Sequence, residues 1–397
     1  MSSHYYPALG YQDTLLPKAQ AELGHEVYVV TSDRHKRNIY ERSKSLLGGK
    51  RIVGAGLSEE DGVMVWRLKT LFELSHAIWH IGLEKKIEEL KPDVVIVHGI
   101  VHLSAIRVAR LKSRLGSFKL IYDDHMAFIA SRSNLRILYP LFKHTFSRFI
   151  QRKADALVGV SDTSKMFMHQ KYGIPLERIA VIPLGSDSDV FQFDESARQE
   201  LRGKLSLKEN EIVFIYVGKS IPEKGPHLLV EAAMKLMGEH SNVKVVLVGG
   251  SLPSYVEKMK QAASDAGLAD RFVWHDAVPN KELPGFYSAA DVGVWPRECS
   301  LCMMEAMACS LPIVISDTSE TTERVGNNNG LTYSGDDASD LAMQMERLLN
   351  TELRKEMGQN GRKFVEEKLS WKIVARQFIE LVCRADNEVE VSRQGER

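Results

Sequence analysis

The chain has no surplus of charge. Its 397 residues carry 52 Lys and Arg against 52 Asp and Glu. A balanced chain exerts no overall attraction on a polyanion, which excludes nucleic-acid binding by net field. Cysteine is scarce, four in all, so a disulfide framework is excluded and a reducing compartment fits. No run of about 18 apolar residues offers to span a bilayer. The longest candidate, Asp93 to Ile106, is interrupted by His98 and His102. The opening MSSHYYPALG has neither a basic flank nor an apolar core, so no secretory leader is expected and the reading is a soluble, cytoplasmic protein. Short-period repeats and low-complexity tracts are also missing. What is present is ordinary: 44% hydrophobic and 26% charged residues supply a large core, and the length suits two domains at about 150 residues each.

Short Val- and Ile-rich runs recur between polar or Gly boundaries: Glu26 to Asp33, Asp93 to Gly99, Lys119 to Asp124, Ala156 to Ser161 and Ile179 to Gly185. Continuous apolar runs of this length predict strands buried on both faces. Stretches with helical spacing lie between them, including Leu16 to Gly24 and Ile106 to Gly116, each ending on Gly. The alternation predicts a parallel sheet with crossover helices. It pauses over the charged segment Gln192 to Asn210, then resumes with Glu211 to Gly218, Asn242 to Gly250, Arg271 to Val278, Asp291 to Pro296 and Leu311 to Asp317. Two Rossmann-like α/β domains facing across a cleft follow, over 1–195 and 196–365, with a last amphipathic helix in 366–397 packing back across them. Ligands of such sheets sit beyond the carboxyl ends of the strands.

Two segments there carry chemistry. FIYVGKSIPEKGPHLLVEA (Phe214 to Ala232) reads as strand, Gly turn and helix, with Lys219 and Lys224 converging near a helix start. Unpaired N–H groups and the helix dipole make that end suitable for a phosphate or diphosphate, although surface lysines on a solvated loop give the same pattern. It is not a Walker loop, because the spaced Gly-Lys-Ser/Thr is missing. DVGVWPRECSLCMMEAMACSLPIVISD (Asp291 to Asp317) places Glu305 in the first turns of a helix, where a carboxylate either caps the helix or accepts bonds from vicinal hydroxyls such as those of a ribose.

Taken in order, these stretches resemble the family 4 (group 1) retaining glycosyltransferases of the GT-B fold over nearly the whole length. HYYPALG (His4 to Gly10) is similar to the family's first loop, and Gly24 to Val27 to its GHEV strand. ADALVGVS (Ala154 to Ser161), VIPLGSDSDVF (Val181 to Phe191), VGKSIPEKG and ADVGVWP also match, and EAMACSLPIV stands for EAMAxGxPVV. The resemblance implies transfer of a sugar from a nucleotide-sugar donor to an acceptor hydroxyl of a glycan, lipid-linked glycan or small molecule, with retention. Lys219 and Lys224 would hold the donor diphosphate, Lys219 replacing the usual Arg fork with a point charge. Gly10, Gly218, Ser300 and Leu301 would complete the donor site, and Glu305 would bind the ribose. Glu298 stands one residue closer to Glu305 than the family's paired glutamates do, and Arg297 holds the expected position. His125 would position the sugar or handle a proton. The family pattern also has an apolar strand ahead of the first loop, so Met1 is expected to be a late or misassigned start.

Other groups are weighed beside these. Asp123-Asp124 superficially resembles a metal-binding pair, but the lysines can replace a metal and no cofactor is expected. Cys299, Cys302 and Cys309 lack a fourth clustered ligand, which disfavours zinc. From Met126 to Ala154 there is no acid, while Arg132, Arg136, Lys143, Arg148, Arg152 and Lys153 alternate with Leu, Phe and Tyr. With the basic, flexible-looking stretch Arg34 to Arg51, this suggests peripheral contact with an anionic membrane. A non-catalytic nucleotide- or glycan-binding relative and a nucleotide-sugar epimerase are the alternative functions.

Overall fold

The structure is a computed structural model. It describes residues 1–395 apart from 45, 75–76, 126–138, 251, 298–300 and 319–321, with side chains described as far as Cys383 except at 42. The chain divides into two compact units. One comprises Met1–Tyr40, Gly49–Leu184 and Lys372–Arg397, the other Glu41–Gly48 and Gly185–Trp371.

In the first unit the Val- and Ile-rich runs become β1 (Tyr28–Ser32), β6 (Val94–His98), β7 (Lys119–Asp124), β8 (Ala156–Gly159) and β9 (Ile179–Val181). Four further strands intervene: β2 (Gly56–Glu60), β3 (Val63–Leu68), β4 (Thr70–Leu74) and β5 (Ala77–His80). The sheet orders are β1-β3-β2, β4-β5 and β6-β7-β8-β9. The single parallel sheet expected here is therefore divided, with β1 in one sheet and β6 to β9 in another. β2 (GLSEE) escapes the pattern of apolar runs because it is the mostly exposed strand of an antiparallel hairpin, whereas β3 opens with the short apolar run Val63–Trp66. Their sequence signal is the Asp61-Gly62 pair, both at positive φ (51° and 77°), as a two-residue hairpin turn requires. The basic stretch after Arg34 is also more ordered than expected. It carries the helix Arg37–Arg42, and Arg51 ion-pairs with Glu73.

The second unit is one parallel sheet of six strands: β10 (Ile212–Val217), β11 (Val243–Val248), β12 (Phe272–His275), β13 (Val292–Trp295), β14 (Ile313–Ser316) and β15 (Gly330–Tyr333). Its order is β12-β11-β10-β13-β14-β15, the doubly wound 3-2-1-4-5-6 arrangement. Consecutive residues Val213–Val217 and Val245–Val248 are all buried, so both faces are covered, as the continuous apolar runs predicted. Each such Val or Ile contributes roughly 1.5–3 kcal/mol through removal from water.

The units part at Leu184/Gly185 rather than at 195/196. Beyond β9 the chain bonds with the far end of the second unit: Ser186 N donates to Leu369 O (2.7 Å) and Trp371 N to Ser186 O (3.1 Å). The charged segment Gln192 to Asn210 forms the helix Glu195–Lys204, capped by Asp194. The final helix starts at Trp371, and from Lys372 onward it is counted with the first unit.

The helix Cys302–Ala308 ends in a Schellman turn. Ser310 N donates to Met307 O (2.9 Å) and Leu311 N to Ala306 O (3.0 Å). Ser310 occupies the left-handed position at φ 60°, where glycine has no steric cost. Ser310→Gly is therefore expected to raise unfolding stability by about 0.5–1 kcal/mol, read as a higher urea midpoint with unchanged m-value; a lower midpoint would show that the serine side chain stabilises the turn.

Candidate active site

β10 and β13 are neighbours in the sheet (Phe214 beside Val292), and between them the winding direction reverses. The loops that follow them diverge from this point, which is where doubly wound sheets bind ligands. Gly218 follows β10 directly, and its carbonyl lies so close to Gly249 that a Cβ there would come within 1.9 Å. Two strand ends are thus held in close backbone contact. Lys219 comes next and is exposed, its carbonyl accepting from Tyr216 Oη (2.9 Å). A 3₁₀ turn, Pro222–Lys224, brings half-buried Lys224 to the mouth of the helix Pro226–Met237.

Arg297, after β13, occupies the place where the family spacing expects a glutamate. It does not act as one. Its guanidinium grips Asp336 in two parallel bonds (2.9 and 2.5 Å) and donates a third to Pro222 O (2.7 Å). Hydrogen bonding to Asp336 raises its pKa above the usual arginine value, so it is a fixed cation. The planar fork ties the β13 loop to the turn that carries Lys224. The residue type and position were visible in the sequence; the distant partner, Asp336, was not.

Glu305 is buried in the helix Cys302–Ala308. Oε1 accepts from Asn280 Nδ2 (2.8 Å) and Oε2 from Tyr287 Oη (3.1 Å). Burial pushes its pKa up to about 7, against which the two hydrogen bonds work. Each carboxylate oxygen keeps acceptor capacity for a hydroxyl. Leu301 is the half-buried N-cap residue of this helix and gives no side-chain cap. Lys219, Lys224, Leu301 and Glu305 therefore stand on loops and helices following two adjacent strands. Glu298 and Ser300 lie outside the described residues.

The first unit has its own polar cluster at strand carboxyl ends. Gly10, buried and at φ 61°, caps the 3₁₀ turn Pro7–Leu9. Gln12 Nε2 (2.9 Å) and His98 Nδ1 (2.7 Å) both donate to Asp123 Oδ2. Burial acts to raise the Asp123 pKa, but the His98 charge and hydrogen bond hold it below the usual value. Asp124 is buried and accepts from Tyr172 Oη (3.2 Å). One oxygen of each carboxylate of the Asp-Asp pair thus accepts bonds inside the unit, while Asp123 Oδ1 is buried without a hydrogen-bond partner among the described residues. His125 is exposed just beyond β7.

Among the described residues, Glu239, His240 and Glu346 are the one group of three whose ligand atoms approach closely enough for a cation, and none of them is a candidate site residue. Cys309 is buried, which pushes its thiol pKa up, and Cys302 is half-buried; Cys299 lies outside the described residues. Of the acid-free segment, the part before 139 is likewise outside them. The rest is helical, with Ile150 in the core and Leu141, Phe146, Arg148 and Arg152 exposed. No helix among the described residues is long and apolar enough to cross a membrane.

The second unit is a doubly wound sheet with Lys219 and Lys224 in the loop that follows β10 at its switch point, and the fold is GT-B. A glycosyltransferase from Rickettsia africae superposes with a TM-score of 0.73 at 15% identity over 97% of both chains. HepE of Anabaena in complex with UDP and glucose gives 0.71 at 17% identity, over 96% of this chain and 98% of that one. A profile described as Glycosyltransferase Family 4 matches residues 15–190, and one described as Glycosyl transferases group 1 matches residues 197–364. The chain belongs to this family of group 1, family 4 glycosyltransferases. It is similar to a D-inositol 3-phosphate glycosyltransferase of Acidothermus cellulolyticus, 32% identical over 51% of this chain and 48% of the relative. It is also similar to the GDP-mannose-dependent alpha-(1-6)-phosphatidylinositol monomannoside mannosyltransferase of Mycobacterium tuberculosis, 27% identical over 57% of this chain and 61% of the relative. The chain thus spans about half to three fifths of the length of these curated relatives.

The Glu305 carboxyl gives a pH signature. Its folded pKa, about 7, exceeds the ordinary 4.5, so the folded state holds the proton more tightly. Its contribution to stability is full below about pH 4.5 and is lost as the pH rises through 7. Glu305→Gln cannot ionise, so its stability relative to the parent is expected to grow between pH 5 and pH 8 by on the order of 2–3 kcal/mol. Urea unfolding of both proteins at the two pH values measures this; a constant difference would mean that Glu305 is ionised throughout.

Proposed function

We propose that this protein transfers a sugar from a nucleoside diphosphate to an acceptor hydroxyl with retention of anomeric configuration. The observation that carries the reading is the β10/β13 switch point, where Lys219 and Lys224 stand on one loop and buried Glu305 on the helix that follows the other. Lys219 and Lys224 bind the donor diphosphate, and Glu305 accepts from the ribose hydroxyls. As the bond to the anomeric carbon breaks, that carbon becomes oxocarbenium-like and negative charge grows on the departing phosphate. Two ammonium groups stabilise the charge more in the transition state than in the ground state, which is what accelerates transfer. Arg297 keeps the Lys224 turn in place through Pro222. In the retaining mode the departing phosphate takes the acceptor proton on the same face, so no protein carboxylate is required as a base. His125, exposed at the end of β7, positions the sugar or handles a proton. The reaction needs no metal, since the lysines supply the charge that a divalent ion would bring.

Lys219→Ala and Lys224→Ala are each expected to fold normally and to lose turnover by about 100-fold or more. Near-normal rates in both would overturn the diphosphate assignment. Glu305→Ala is expected to weaken donor binding more than Glu298→Ala does. Calorimetry with UDP-, GDP- and ADP-sugars identifies the base, and turnover with an acceptor panel in the presence of a chelator tests the whole reading. Binding without turnover would favour a non-catalytic relative, a changed sugar on free nucleotide an epimerase, and an inverted product would reject retention.

A lipid-linked acceptor fits the exposed side chains of the acid-free segment. The Mycobacterium tuberculosis relative is named for action on a phosphatidylinositol mannoside, and here Leu141 and Phe146 are exposed close to Arg148 and Arg152. Each surface cation adds about 1 kcal/mol of attraction to an anionic leaflet. Co-sedimentation with vesicles is expected to require anionic lipid and to fall with added salt; no binding at low salt would leave a soluble acceptor.

A further inference from the structure

The turn that carries Lys219 is fastened to the sheet by two buried aromatic side chains. Tyr216, next to last in β10, donates from its hydroxyl to Lys219 O (2.9 Å). Trp295, the last residue of β13, donates from Nε1 to Val217 O (3.0 Å). The indole lies over Gly293, where a Cβ would come within 2.6 Å of the ring. Between the two fastened carbonyls stands Gly218 at φ 154°, a conformation open to glycine, and its N–H donates to Val248 O (2.9 Å). A Cβ on Gly218 would sit 3.1 Å from Tyr216 Oη, so the turn wraps closely around the phenol. Lys219 O accepts a second bond from Ile221 N (3.0 Å). The backbone of Lys219 is held in this way while its side chain is exposed. A phenylalanine would fill the same space in β10, as Phe214 does two residues earlier. What the hydroxyl adds to that packing is one bond, to the carbonyl of the residue assigned to the donor phosphate.

We propose that Tyr216 is a positioning residue for sugar transfer: through its bond to Lys219 O it fixes the direction in which the Lys219 side chain leaves the turn. The role rests on the reading of Lys219 as a ligand of the donor diphosphate. A lysine is a point charge on a flexible stem and lacks the rigid fork by which arginine orients itself, so the set of its backbone decides where the ammonium can go. Ground-state binding tolerates a stem that swings, because an ammonium meets a phosphate from several directions. Stabilising the charge that grows on the departing phosphate requires the ammonium in one place as the bond breaks. Tyr216 therefore acts on kcat more than on KM. Loss of its hydroxyl leaves Lys219 O with the bond from Ile221 N, so no buried acceptor is orphaned and Tyr216→Phe is expected to fold.

The test is a double-mutant cycle on the full chain, with Tyr216→Phe, Lys219→Ala and both together, read as release of nucleoside diphosphate from UDP-glucose, GDP-mannose and ADP-glucose. Tyr216→Phe is expected to lower kcat about tenfold and to change the donor KM by less than about threefold. In the Lys219→Ala background the same substitution should change kcat by less than about twofold, because the group it orients is gone. Tyr122→Phe deletes a comparable buried bond in the first unit, from Tyr122 Oη to Ala105 O (2.7 Å); it controls for lost stability and should keep the parent kcat. Melting temperatures of all four variants report folding. A parent-like kcat for Tyr216→Phe beside a slow Lys219→Ala would overturn the positioning role. A full tenfold loss on adding Tyr216→Phe to Lys219→Ala would also overturn it, since Tyr216 would then act elsewhere. A parent-like kcat for Lys219→Ala would overturn the diphosphate assignment itself, and the positioning role with it.

Discussion

Buried backbone must be paired, and this requirement organises the molecule. A parallel sheet covered on both faces leaves no water for its amides and carbonyls, so the strands must be apolar at every position and only their ends can be polar. Val213 to Val217 and Val245 to Val248 obey this without exception. Charged side chains are thereby displaced beyond the carboxyl ends, and Lys219, Lys224, Arg297 and Glu305 all follow strands β10 and β13. In the first unit the strands fall into three sheets, with β1 beside β3 and β6 beside β7.

At the switch point the electrostatics divide between fixed and adjustable charge. Arg297 is bound to Asp336 and Pro222 and serves as a clamp. The lysines, flexible point charges on a short loop, are the groups suited to follow a phosphate through a reaction. Glu305 lies between these extremes. Burial makes its ionisation costly near neutrality, and a ligand hydroxyl that donates to it would favour the charged form.

The two buried carboxylates of the first unit show how environment overrides residue type. Asp123 and Asp124 are adjacent in sequence and buried together, yet each is used by a different neighbour: His98 and Gln12 for one, Tyr172 for the other. The adjacent carboxylates thus take part in two separate hydrogen-bond groups of their unit. His125, one residue further, is exposed because the strand has ended.

The sequence by itself determined the class of fold, because buried parallel strands write themselves as unbroken Val and Ile runs, and it placed the lysine loop directly after one such run and Glu305 on the helix that follows another. The hairpin of β2 and β3 was legible through Asp61-Gly62 and the short run Val63–Trp66, since the mostly exposed β2 forms no apolar run. What the tertiary structure alone decided depends on partners far away in the chain. Arg297 finds Asp336, Glu305 finds Asn280 and Tyr287, and β1 pairs with β3, none of which has a local signature. Side-chain periodicity reports which face of an element is buried; it does not report what that face meets, and the roles of these residues are set by what they meet.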